Sequence, residues 1–150
     1  MILTGKTAIV TGGARRLGRE IALALALRGA RLVIHYGHSA GPAEATRAEI
    51  EALGARATTV QADFNQPAQA PRVVQAAIDA FGGADILINS AAIFEAGDFA
   101  TTDESNWDRH FNINLKAPFL LSQAFAAQIP EDGAGKIVNI ADWRGLRPGT

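Results

Sequence analysis

Thr7-Ala8-Ile9-Val10-Thr11-Gly12-Gly13-Ala14-Arg15-Arg16-Leu17-Gly18 is the stretch on which the fold turns. Its opening, TAIVT over 7–11, is uncharged and rich in β-branched residues, the pattern of a strand buried on both faces. A helix follows over 17–28, with Leu17, Ile21 and Leu25 on one stripe, Arg28 as a cation for its end and Gly29 as a left-handed stop. Glycines in the turn between them let the backbone approach a pyrophosphate seated on the helix amino terminus. A tight turn with close helix–strand packing uses the same residues. A phosphate loop of the nucleotide-hydrolysing kind is excluded, because Arg19 and Glu20 stand where its lysine and hydroxyl are required.

Outward from this turn, strand and helix patterns alternate through the chain. Strands are expected over 31–35 (RLVIH), 57–61, 85–89 (DILIN) and 136–140 (KIVNI). A helix over 42–53 places Thr46, Ile50 and Leu53 on one face before Gly54. Another begins near Pro67, with Pro71 in its first turn, carries Val74, Ile78 and Phe81 along one side and ends at Gly82-Gly83. Thr101 and Glu104 have capping-box spacing for a long helix through Trp107 toward Ile129 and Pro130. The order implies an α/β fold, a doubly wound parallel sheet of Rossmann type, in one domain over 1–150. The first five strands of the order 3-2-1-4-5-6 are expected here, and the carboxyl-terminal strands are expected to be missing.

Composition narrows the function classes. Fourteen Lys and Arg against 15 Asp and Glu leave net charge -1, no field for nucleic acid or an anionic membrane. A small-molecule substrate is the expected partner. No cysteine is present, so thiolate metal sites and disulfides are excluded. His35, His38 and His110 lack metal-ligand spacing, and no metal is expected. The opening Met1-Ile2-Leu3-Thr4-Gly5-Lys6 has no leader pattern, and the longest helical apolar run, 21–27, is too short for a bilayer, so a cytoplasmic location is expected.

About 20 residues past a dinucleotide turn, NAD enzymes place a carboxylate against the ribose 2′-hydroxyl. Here the second strand ends His35-Tyr36-Gly37-His38-Ser39. Arg15, Arg16, His38 and Ser39 are donors suited to a 2′-phosphate, which favours NADP(H); the alternative is that the arginines are merely solvated surface charges. Proline at 118 removes the amide that would bond the carbonyl of Asn114, freeing that carbonyl for a water or merely kinking the helix.

These residues together resemble the short-chain dehydrogenase/reductase family along essentially the whole chain. The turn over 11–18 is similar to that family's glycine-rich turn, with Arg16 where most members have the middle glycine. Asp63 resembles the adenine-contacting aspartate, with Phe64 beside it, and Asn89-Ser90-Ala91-Ala92 resembles the family's Asn-Asn-Ala-Gly segment. The resemblance thus implies cofactor contacts from Gly12, Arg15, Arg16, Leu17, Gly18, His35, Tyr36, His38, Ser39, Asp63, Phe64, Asn89, Ser90 and Ala91. Asn114 falls at the active-site asparagine, in a proton relay. The Arg-Arg-Leu-Gly turn, His35-Tyr36 with Ser39, and Asp142 resemble the pteridine reductase branch. That likeness implies reduction of a pterin-like ring by hydride transfer from NADPH, with Asp142 at the reaction site and Phe94 stacking the substrate. Surface-turn and core-packing roles for these two remain open, as do reduction of an ordinary ketone, alcohol oxidation and a cofactor sensor without turnover. The family's Tyr-x-x-x-Lys pair is absent, since Tyr36 is the one tyrosine and Ala40 stands four residues on. The chain as given is therefore expected to stop before the catalytic tyrosine and to lack reductase activity. A homo-oligomer is expected of the complete protein.

Overall fold

A computed structural model describes residues 3–143; Met1 and Ile2 of the amino-terminal reading and the stretch after Trp143 lie outside them. Strands β1 (Thr7–Val10), β2 (Arg31–Tyr36), β3 (Ala57–Gln61), β4 (Ile86–Asn89) and β5 (Lys136–Asn139) form one parallel sheet in the order β3-β2-β1-β4-β5. This is the doubly wound order expected for the first five strands. Helices α1 (Arg16–Ala26), α2 (Ala40–Ala52), α3 (Pro71–Phe81), α4 (Glu104–Phe111) and α5 (Ala117–Ala127) connect them.

Strand periodicity sorts the core into two layers. Ala8, Val10, Leu32, Ile34 and Ile88 pack with Ala22, Ala26, Ala43 and Ile50 on the side of α1 and α2. Ile9, Val33 and Leu87 pack with Val73, Val74, Ala77, Leu121 and Phe125 of α3 and α5. Each fully buried Leu, Ile or Phe stabilises by about 1.5–3 kcal/mol, so the central strands are the most firmly held part of the chain.

Four helical expectations are corrected. In α1 the fully buried row is Gly18, Ala22 and Ala26; of the expected stripe, Ile21 and Leu25 pack only partly buried against the core and Leu17 is 55% exposed. Small residues let the helix lie close on the sheet. In α2 the inward face is Ala43, Thr46 and Ile50, while Leu53 forms the C-cap with its side chain outside; Pro42 sits within the first turn, where its missing N–H costs nothing. Pro67 opens a separate 3₁₀ turn (Pro67–Gln69), and α3 starts at Pro71, burying Val73, Val74 and Ala77 while Ile78 stays partly exposed. Gly82, at φ 82°, stops α3 as expected.

The long helix is two helices. Asp103, not Thr101, caps α4, its Oδ1 accepting from the Asn106 amide at 2.8 Å; the Thr101 amide is already spent on Asp98. A π-helical turn (Asn112–Lys116) then separates α4 from α5, immediately before Pro118. A wider turn there relieves the clash between the proline ring and the carbonyl four residues back. Helix α5 ends at Ala127, and the Gln128 side chain then pairs with the main chain of Ala84, donating from Nε2 at 2.7 Å and accepting at Oε1 at 3.0 Å. Among the described residues, no helix is long and apolar enough to cross a membrane.

Candidate dinucleotide site

All five strands deliver their carboxyl ends to one cavity of about 520 Å³. Its lining takes Gly12 after β1, Gly37 after β2, Ala62 after β3, Ser90 after β4 and Ile140 after β5. The crossovers diverge on either side of β1 and β4, the place where ligands enter open α/β sheets. A second cavity of about 350 Å³ lies at the opposite ends of the strands, around the Lys6–Asp85 ion pair.

The glycine turn is shaped by two close approaches. Gly12 has φ +65°, and a Cβ there would meet the Ala91 Cα at 3.0 Å; at Gly18 it would meet the Gly12 carbonyl oxygen at 2.3 Å. The first lets the turn lie against the loop after β4, and the second lets α1 begin directly over the turn. Arg16 is the one non-glycine residue with positive φ among those described, at 50°, which gives the physical reason that a glycine would suit this position. Thr11 fastens the two loops together: its Oγ1 accepts from the amides of Ser90 and Ala91, both at 2.9 Å.

Charge at the cavity mouth is positive. Neither α1 nor α2 carries an acidic residue in its first turn, so the positive ends of both helix dipoles are uncompensated. Among the described residues, Arg15 and Arg16 form no ion pair, whereas Arg19 is bound by Glu20 and Glu49. Ser39 occupies the N-cap position of α2 without spending its hydroxyl on the helix. Arg15, Arg16, His38 and Ser39 all line the cavity, as do Leu17, Gly18, Asp63, Phe64 and Ala91. One Asp63 oxygen already accepts from the Asn65 amide at 2.9 Å.

His35 also lines the cavity, yet it is only 2% exposed and all its polar atoms are engaged. Its Nδ1 accepts from the Gly12 amide at 3.2 Å, and its Nε2–H donates to the Ala62 carbonyl at 2.9 Å. Phe64 stacks on the ring at a centroid distance of 4.0 Å. Burial pushes the imidazole pKa down to about 4, partly opposed by the bond to Ala62. His35 is thus a neutral part of the wall, not a ready donor to a phosphate.

Two expected contacts fall elsewhere. Tyr36 is outside the lining, packed among the α1 and α2 layer because successive strand residues face opposite sides. Asn89 lies under the loop, its Nδ2 donating to Asn139 Oδ1 at 2.8 Å, while its own Oδ1 is buried and has no partner among the described residues. Of the three reaction-site candidates, Asn114 acts through its side chain, accepting from the Ile93 amide and donating to the Ile93 carbonyl, both at 2.9 Å. It pins the loop after β4 to the π turn, a role sequence spacing did not reveal. Phe94, 74% exposed, is not a core residue, and Asp142 is an exposed residue just past β5. Sequence reasoning missed Gly37, Ala62, Ala92, Ile93, Ile113 and Ile140, which complete the lining. The strand ends before Gly37 and Ala62, and for Ala92 its place in the Asn89-Ser90-Ala91-Ala92 segment, were the signals present.

Comparison with known proteins decides the family, since the short chain dehydrogenase sequence profile matches residues 6–150. The chain belongs to the short-chain dehydrogenase/reductase family. A short chain dehydrogenase from Burkholderia cenocepacia, solved with NADP, is 41% identical with TM-score 0.94 over 100% of this chain and 60% of its own. The alternative dihydrofolate reductase FolM of Brucella canis, also solved with NADP, is 34% identical with TM-score 0.91 over 99% of this chain and 60% of its own. A chloroplastic NADPH-dependent aldehyde reductase-like protein of Arabidopsis thaliana is 38% identical over 98% of this chain and 60% of its length. The chain spans about half to three fifths of the length of the relatives it matches.

Proposed function

We propose that these residues form the NADPH-binding part of an oxidoreductase that reduces a pterin-like ring or a related conjugated small molecule. The observation that carries the reading is the cavity mouth: Arg15, Arg16, His38 and Ser39 beside two uncompensated helix termini, with no carboxylate at the end of β2. Donors in that arrangement suit the 2′-phosphate of NADP(H), and the carboxylate that NAD enzymes set against the ribose hydroxyls is missing from the end of β2. The NADP held by the Burkholderia and Brucella relatives supports the same choice.

In this reading Gly12 and Gly18 bring the main chain to the pyrophosphate, and Asp63 and Phe64 flank the adenine. Ser90 and Ala91 border the nicotinamide ribose, with Asn89 beneath them. The bound cofactor supplies hydride. Phe94 offers an exposed ring for stacking a flat substrate, worth about 0.5–1.5 kcal/mol beyond area burial. Asp142 and Asn114 stand by the reaction site, and the likeness to the Brucella reductase favours a pterin. An aldehyde or ketone is the second reading, favoured by the Arabidopsis relative. Tyr36 packs away from the cavity and is not the proton donor, so residues 1–150 alone are proposed to bind NADPH without turnover. The complete protein is proposed to be a homo-oligomer, with the exposed row Trp107, Phe111, Leu115 and Phe119 as apolar surface for association.

The test is NADPH oxidation by the protein expressed from its whole natural reading frame, with a dihydropteridine and a panel of aldehydes and ketones. Faster turnover of the dihydropteridine supports the proposal. Turnover of the carbonyls alone establishes the second reading, and NADPH binding without turnover of any substrate identifies a sensor.

A further inference from the structure

We propose that His35 is a positioning residue for the dinucleotide, a neutral wedge that fixes the glycine turn without offering a polar contact of its own. The proposal rests on the cavity being a dinucleotide site. Its partners dictate its state. A main-chain amide can only donate, so Nδ1, which faces the Gly12 N–H at 3.2 Å, carries no proton; a carbonyl can only accept, so Nε2, at 2.9 Å from the Ala62 oxygen, carries one. The main-chain carbonyl of His35 takes the next amide of the turn, Gly13 N–H, at 3.0 Å.

One residue thereby occupies the amides of both turn glycines, ties them to the segment after β3 and supports Phe64 face to face. With Gly12 and Gly13 spent, the amides left to meet a pyrophosphate are those in the first turn of α1, before Arg19 N–H bonds the Arg15 carbonyl. The direction of these amides depends on where the turn is held. Gly12 lies close against Ala91, where an added Cβ would come within 3.0 Å of the Ala91 Cα, and Ala91 is itself held by Thr11. Loss of the Nδ1 bond leaves the part-buried Gly12 amide without its acceptor, and any shift of Gly12 is passed to Ala91 across the cavity.

The experiment uses the protein from its whole reading frame and measures NADPH affinity and thermal stability for His35→Asn, His35→Gln and His35→Leu. Asparagine places its Oδ1 near the position of Nδ1 and restores the acceptor for Gly12, whereas glutamine reaches Ala62 but leaves Gly12 without one. Retention of wild-type affinity within about threefold by His35→Asn, with losses of about tenfold in the other two, is the expected result, a lost hydrogen bond being worth about that factor. Equal affinities in all three variants, or equal losses in His35→Asn and His35→Gln, overturn the role. Because variants can fail to fold, nitrogen-15 NMR of the wild-type imidazole is the second measurement. An Nε2–H neutral ring at neutral pH is expected, and an Nδ1–H tautomer or an imidazolium overturns the proposal. Wild-type protein that binds no NADPH overturns the dinucleotide reading and the wedge with it; wild-type binding with unaffected variants overturns the wedge alone.

Discussion

Replacing Arg16 by glycine separates what this residue does for the fold from what it does for a ligand. Its φ of 50° lies in the left-handed region, which costs a residue with a Cβ about 1–2 kcal/mol. Glycine removes that strain but adds roughly 0.4–1 kcal/mol of unfolded-state entropy to be lost, leaving a net gain of about 0.5–1 kcal/mol. For a chain of this size, that gain raises Tm by about 1–4 °C. The same substitution removes a guanidinium from the cavity mouth, where a charged hydrogen bond to a phosphate is worth about 1.5–3 kcal/mol. Solvent screening at this exposed position favours the lower end, so NADPH affinity falls roughly tenfold while NADH affinity stays within about twofold. Arg16→Ala shares the loss of affinity and keeps the strain, so its Tm does not rise. Thermal unfolding and paired cofactor titrations of wild type and both variants make the test. An Arg16→Gly protein that binds NADPH as tightly as wild type, or that is less stable, contradicts the reasoning.

His35 gives a pH prediction: its folded pKa of about 4 lies below the unfolded value of 6.5, so its contribution is fully present above pH 6.5 and is lost as pH falls toward 4. The loss comes to about 3 kcal/mol, and chemical denaturation across that window should show it in wild type and not in His35→Asn. Gln128→Glu keeps an acceptor for the Ala84 amide but sets a second oxygen against the Ala84 carbonyl, so stability should drop by about 1–3 kcal/mol with NADPH affinity unchanged. Calorimetry showing no change would rule out that clamp as a stabilising contact. In the complete protein, Asp142→Ala should lower kcat with little effect on NADPH affinity; full turnover on every accepted substrate would return Asp142 to a surface-turn role.

The parallel sheet was legible because β1, β2 and β4 are largely buried and all five strands read as short apolar or β-branched runs set off by glycines, and the turn over 11–18 indicated which end holds the cavity. Helix faces were less legible. In α1, close packing selected Gly18, Ala22 and Ala26 over the leucines, which apolar size alone does not indicate. His35 and Tyr36 were assigned one role, although strand alternation sends them to opposite faces, a signal present in the sequence itself. The Asn114 and Gln128 clamps could not be read, since a side-chain amide acquires its partner only when distant segments meet: Ile93 and Ala84 are 21 and 44 residues away. The division between α4 and α5 was half visible, Pro118 marking where the helix must open but not that a π turn absorbs the change.

The central claim is that the donors at the cavity mouth select a 2′-phosphate. Isothermal titration of the protein from its whole reading frame with NADPH and with NADH, at matched ionic strength, tests it most directly. The account predicts NADPH tighter by at least about tenfold, the value of one charged hydrogen bond at its lower bound. Equal affinities, or a preference for NADH, would contradict it.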